Sequence, residues 1–93
     1  MKEVKTEDDL KELIEEFGYE DVVIFSNPSY ASAFVGISED NRAIYDFGLM
    51  IEHQMIEEGW SDVEAIEFIE HNTLRALPYY ENAPIVMYRL GDC

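Results

Sequence analysis

Leu10, Leu13, Ile14 and Phe17 recur at the three- and four-residue spacing that gathers side chains on one face of a helix. Glu7, Asp8, Glu12, Glu15 and Glu16 fall on the other side. Thr6 stands in the N-cap position with Asp9 three residues on, an acidic variant of the capping box. Gly18 stands where a helix ends on a left-handed residue. Lys11 and Glu15 read as the one favourable charge pair of the outer face, in the weaker orientation.

After this helix the period changes. Residues 22–26, VVIFS, form a β-branched and aromatic run that predicts a buried strand. NPSY, residues 27–30, carries turn chemistry. Residues 33–37 and 42–46 predict a hairpin around SEDN, residues 38–41, in which Asn41 accepts a left-handed backbone. Asp46 is placed to cap a second helix. Phe47, Met50, Ile51 and Met55 mark its buried face, Leu49 and Ile56 widen it, and Gly59 ends it. Ser61 and Glu64 form a capping box for a third helix, with Val63, Ile66 and Ile69 as its stripe beside Ala65 and Phe68. The short link between the two predicts a helical hairpin. The third helix should end between Asn72 and Leu77, because Pro78 disfavours helical geometry in the residue before it. ENAP, residues 81–84, turns the chain into a last strand, 85–89. The order is α-β-β-β-α-α-β: one α+β domain over residues 1–93, with a small, mostly antiparallel sheet of about four strands covered by three helices. Leu10, Leu13, Ile14, Phe17, Val23, Phe25, Ile51, Ile66 and Ile69 are the expected common core.

Composition supports a packed domain, with 47% hydrophobic and 13% aromatic residues in 93. Charge changes the picture more. Twenty-one Asp and Glu face six Lys and Arg, a formal net charge of −15. A surface of that sign disfavours direct binding to nucleic acid phosphates and to anionic membranes, and points to basic protein partners. No apolar run reaches the ~18 residues of a membrane span, and the start of the chain lacks the apolar core of a signal peptide. Cys93 is the only cysteine, so no internal disulfide forms and a cytoplasmic location is expected.

The candidate chemistries are sparse. His53 precedes Glu57 by four residues and His71 follows Glu67 by four, which reads as two surface histidines in helical ion pairs. Neither HExxH nor HxxEH spacing is present, so no metal or other cofactor is expected. There is no GxSxG elbow, no phosphate cradle among the glycines, and no calcium-loop pattern. The chain reads as non-enzymatic. Glu67, His71 and Arg75 lie four apart on one ridge, with Arg75 set against the negative helix pole, and Asn72 and Thr73 are suited to shaping a helix exit. The consecutive Tyr79 and Tyr80 cannot both point inward on an extended chain, so at least one is exposed and suited to an interface.

From Asp46 to Tyr88 the pattern EEGxS, then NTLRALPY, then APIVMY rests on Glu58, Gly59, Ser61, Asn72, Thr73, Arg75, Pro78, Tyr79, Pro84 and Tyr88, with Tyr45, Asp46, Met50, Ala65 and Ile69 alongside. It resembles a family of small acidic hypothetical proteins of Gram-positive bacteria and of their phages and mobile elements. The resemblance implies a genomic context and no mechanism. By analogy, that context suggests an inhibitor of nucleic-acid-binding machinery.

Two readings follow. In the first, the protein mimics nucleic acid and occludes the basic groove of a host defence nuclease or DNA-binding protein. Glu12, Glu15 and Glu16 then contribute a partner-binding face, together with Trp60, Tyr79 and Tyr80. In the alternative, acidity serves solubility only, and the domain forms a homodimer or meets a protein partner through Trp60, Tyr79 and Tyr80.

Overall fold

Helix α1 spans Glu7–Glu16 and forms for local reasons. The Thr6 hydroxyl accepts the Asp9 N–H at 3.1 Å, while the Asp9 carboxylate accepts the Thr6 N–H at 3.2 Å. At the other end, Gly18 at φ 84° closes a Schellman motif, its N–H reaching the Glu15 carbonyl and that of Tyr19 the Ile14 carbonyl. Lys11 pairs with Glu7 at 3.0 Å instead of with Glu15, which is the better orientation, with the acid N-terminal to the base. This computed structural model describes residues 4–26 and 28–90, so Cys93 and the turn residue Asn27 lie outside it.

Among the described residues the sheet is mixed and three-stranded, not mostly antiparallel with four strands. Strands β1 (Phe34–Ile37) and β2 (Ala43–Asp46) form the expected antiparallel hairpin, with Asn41 at φ 65° in its turn. A bulge between Phe34 and Gly36 leaves Val35 outward and 44% exposed. Strand β3 (Ile85–Met87) pairs with β2 in parallel, Tyr45 opposite Val86. Two helices separate β2 from β3 in the chain, and a crossover of that length permits parallel pairing.

Residues 22–26 join no ladder among the described residues. The Phe25 N–H donates instead to the Tyr45 hydroxyl at 3.2 Å, and the Phe25 ring packs on Tyr45 at 4.6 Å and edge-on to Tyr30 at 5.6 Å. A tyrosine hydroxyl stands farther from its own backbone than the ~4.8 Å between paired strands. The segment therefore crosses a face of the sheet at side-chain distance, and hydrophobic burial there replaces edge pairing.

Asp46 leads into α2 (Phe47–Glu58) and accepts the Leu49 N–H at 3.2 Å. Its carboxylate is buried and paired with Arg89 at 2.9 Å, and a side chain on Gly48 would crowd it. Gly59, at φ 70°, ends α2. Helix α3 (Asp62–Phe68) begins on the predicted Ser61–Glu64 capping box. It then widens to a π-helical turn over Ile69–Thr73 and tightens to a 3₁₀ stretch, Leu74–Tyr79, that accommodates Pro78. The helical path thus runs past the expected end.

Leu10, Tyr30, Tyr45, Met50 and Ile69 are the large, fully buried side chains of the core, each contributing about 1.5–3 kcal/mol where apolar. Ile14 belongs with them, and Phe25 and Ile51 pack against them. Leu13 and Ile66 are only half-buried. Phe17 and Val23 depart from the expected core: Phe17 lies past the last turn of α1 and is 71% exposed, and Val23 lies on the unpaired segment. In α2 the buried face is Met50 and Gln54, four residues apart, while Met55 and Ile56 face outward.

Candidate functional site

Glu12, Glu15 and Glu16 lie on the solvent side of α1, all exposed. Nearly the whole charge is treated this way. Asp46 is the one buried acid among the described residues, and Arg89 neutralises it. At the start of α1, the Glu7 carboxylate accepts the Ser26 hydroxyl at 2.8 Å and pairs with Lys11, which holds it below the usual carboxylate range. No group of three His, Cys, Asp or Glu among the described residues is arranged to hold a metal ion. His53 is not in its predicted ion pair with Glu57: its Nδ1 lies 3.2 Å from the Ser32 hydroxyl, with its ring against Tyr30. His71 is exposed.

The π-helical turn changes the expected ridge of Glu67, His71 and Arg75. Its wider repeat, with the Leu74 N–H reaching back five residues to the Ile69 carbonyl, breaks the four-residue alignment. Asn72 shapes the exit as expected, its side-chain amide donating to the Phe68 carbonyl at 3.1 Å. Thr73 turns inward and shares a 3.1 Å hydrogen bond with the buried Tyr30 hydroxyl. Tyr30 holds φ 50°, a left-handed conformation uncommon for an aromatic residue. Burial pushes its hydroxyl pKa up, and the Thr73 bond partly offsets this.

Two concavities open on either side of Pro28 and Phe68, each of about 450 Å³. The first runs between residues 23–26 with Pro28 and Tyr30 on one side and the π-helical turn on the other, and is lined by uncharged groups that include Phe25, Asn72, Thr73 and Tyr80. The second lies at the C-terminal end of α2 and is lined by His53, Gln54, Glu57, Glu58 and Trp60 with Phe68. Trp60 is half-buried there, its ring 5.1 Å from that of Phe68. The structure thus brings Trp60 and Tyr80 to neighbouring concavities, while Tyr79 stands 87% exposed at the end of the 3₁₀ stretch. No α1 residue lines either concavity, so the acidic face of Glu12, Glu15 and Glu16 is a separate surface.

Gln54 was not legible as a site residue. It sits among apolar positions on the buried face of α2, and only the packing shows that its amide borders the Trp60 pocket. No helix among the described residues is long and apolar enough to cross a membrane. Comparison with protein-family models, with curated proteins and with solved structures gives no match.

Proposed function

We propose that this is a non-enzymatic, cytoplasmic protein-binding protein whose acidic surface engages a basic groove built for nucleic acid. The observation that carries the reading is the placement of the charge. A net −15 is displayed on a body of 37 × 31 × 28 Å, with every described acid but Asp46 at least partly exposed. Duplex DNA presents one charge per ~1.7 Å of axis, so fifteen charges correspond to about 25 Å of duplex. The charge per length is comparable to that of DNA. Such a field steers association and makes it salt-sensitive. The resemblance implies only a genomic context, and analogy with that context supports a host defence nuclease or another DNA-binding protein as the partner, with this chain acting as an inhibitor from a phage or mobile element.

The test is capture from a Gram-positive bacterial lysate on the immobilised protein, with duplex DNA added as competitor. The reading expects nucleic-acid-binding proteins that are released by DNA and by salt. Captured proteins that bind no nucleic acid and are not displaced by DNA would overturn it.

One observation favours the alternative of aromatic-mediated association. Tyr79 and Tyr80 are 87% and 59% exposed and adjacent. A concentration-dependent mass in sedimentation, abolished by Tyr79→Ser together with Tyr80→Ser, would support a homodimer.

A further inference from the structure

From the pocket at the end of α2 we infer that it is a binding site for an arginine side chain of a partner protein. The inference rests on the reading of the protein as one that binds a basic partner, and names the group that partner inserts. Four independent features converge on a planar organic cation. Glu57 and Glu58 place two carboxylates at the rim, and neither is paired with a described residue. Both stand in the last turn of α2, which carries no basic residue, so the negative pole of the helix adds to their field. Trp60 and Phe68, their ring centroids 5.1 Å apart, line the pocket together with the carboxylates, and a guanidinium stacks on aromatic rings.

The fourth feature is Gln54. It is 3% exposed, lines the pocket, and its side-chain amide bonds no described residue. A buried amide without a partner is costly. No buried polar side-chain atom among the described residues is sealed off unpaired, so the Gln54 amide keeps its access through the pocket. Its carbonyl oxygen is an acceptor held ready for an N–H donor. A guanidinium has five N–H donors in a rigid fork, enough to serve the amide oxygen and a carboxylate at once while its plane lies against an aromatic ring. An ammonium is a compact, strongly hydrated point charge that meets fewer of these features together.

Trp60 is the only tryptophan of the chain, so its emission reports on this pocket. The probe is the blocked peptide acetyl-Gly-Gly-Arg-Gly-Gly-amide, titrated into the full protein. Control peptides carry lysine or citrulline, the neutral isostere, in place of arginine. The proposal expects a saturable change in Trp60 emission with the arginine peptide. Binding should be several-fold weaker with lysine and about tenfold or more weaker with citrulline, since about 1.4 kcal/mol corresponds to a factor of ten. The double variant Glu57→Gln, Glu58→Gln should weaken the arginine peptide by a similar factor. The triple variant Glu12→Gln, Glu15→Gln, Glu16→Gln removes more charge elsewhere and should leave peptide binding within about twofold, because no α1 residue lines the pocket and salt screens exposed charges over about 8 Å. A response that does not saturate, equal binding of arginine and citrulline, or equal weakening by the triple and double variants would each overturn the site. The titration involves no captured partner. A lysate experiment that finds no nucleic-acid-binding protein therefore overturns the proposed function and leaves the peptide result to decide the pocket.

Discussion

The first turn of α1 and the last turn of α2 carry the same kind of charge to opposite ends of a helix. Glu7, Asp8 and Asp9 sit at the positive pole of α1, where Asp9 closes the capping box and Glu7 meets Ser26 and Lys11. Glu57 and Glu58 sit at the negative pole of α2, with no cation nearby in that helix. The first group stabilises the helix that holds it, and the second destabilises its own. Glu15 and Glu16, at the end of α1, share the unfavourable pole but have neither tryptophan nor buried amide beside them. The acidity is therefore not one property. Part of it builds the fold, part of it makes a long-range field, and at one place it is combined with shape.

The largest effect that would break this account is on the frame that holds both helices. Leu10→Ala removes a fully buried side chain from α1 and should cost about 2–5 kcal/mol in denaturant unfolding. A change near zero would contradict the placement of α1 on the core.

Next comes the junction that launches α2. Asp46→Ala removes the N-cap bond to Leu49 and the ion pair to Arg89 together. The loss should be about 1–3 kcal/mol. Arg89→Ala should cost at least as much, because it keeps the capping bond but leaves the buried Asp46 carboxylate without its counter-charge.

Tyr45 ties the unpaired segment to the sheet, and its burial pushes the hydroxyl pKa up to about 12 from 10. The unfolded chain releases this proton near 10 and the folded chain only near 12. Between those values the unfolded state binds fewer protons, so stability falls as pH rises through that window, by on the order of 2 kcal/mol. Below it the contribution is fully present. Measured by unfolding at successive alkaline pH values, the slope should become shallower in Tyr45→Phe, the remainder coming from Tyr30, whose hydroxyl pKa is also raised by burial.

The smallest effects sharpen the comparison itself. Replacing Glu57 and Glu58 by Gln should raise stability by about 0.3–1 kcal/mol per residue, whereas Asp8→Asn should lower it by a similar amount. Thermal unfolding at low salt would read both signs, and equal signs would remove the distinction between the two ends.

Much of the frame was legible because it is written in short-range chemistry. Thr6 with Asp9, Asp46 before α2, Ser61 with Glu64, and Gly59 each act within one turn, so sequence spacing suffices to place them. The misses that decide the topology depend on distant partners. Residues 22–26 have the composition of a strand, but the Tyr45 hydroxyl, twenty residues on, captures the Phe25 N–H. The order of the sheet followed from where the helical hairpin returns the chain, which β-propensity does not encode. In α2 the helical period could not choose between Met55 and Gln54, and packing buried the polar one. Glu12, Glu15 and Glu16 were legible as surface, as was at least one of Tyr79 and Tyr80, both of which are exposed, and Trp60 was legible as an interface candidate. That Trp60 shares a pocket with Gln54, Glu57 and Glu58 was not, because Gly59 turns the chain back there and α3 brings in Phe68.

The central claim is that this acidic surface stands in for a nucleic acid on a basic partner. Its most direct test is the slope of log affinity against log salt for the captured partner, taken for the parent, for Glu12→Gln, Glu15→Gln, Glu16→Gln, and for Glu57→Gln, Glu58→Gln. The account predicts that both variants bind more weakly with flatter salt dependence, and that the α2 pair loses more affinity per charge removed, because its carboxylates act within a pocket. If both variants bind as tightly as the parent with the same salt slope, the acidic surface is not the binding surface.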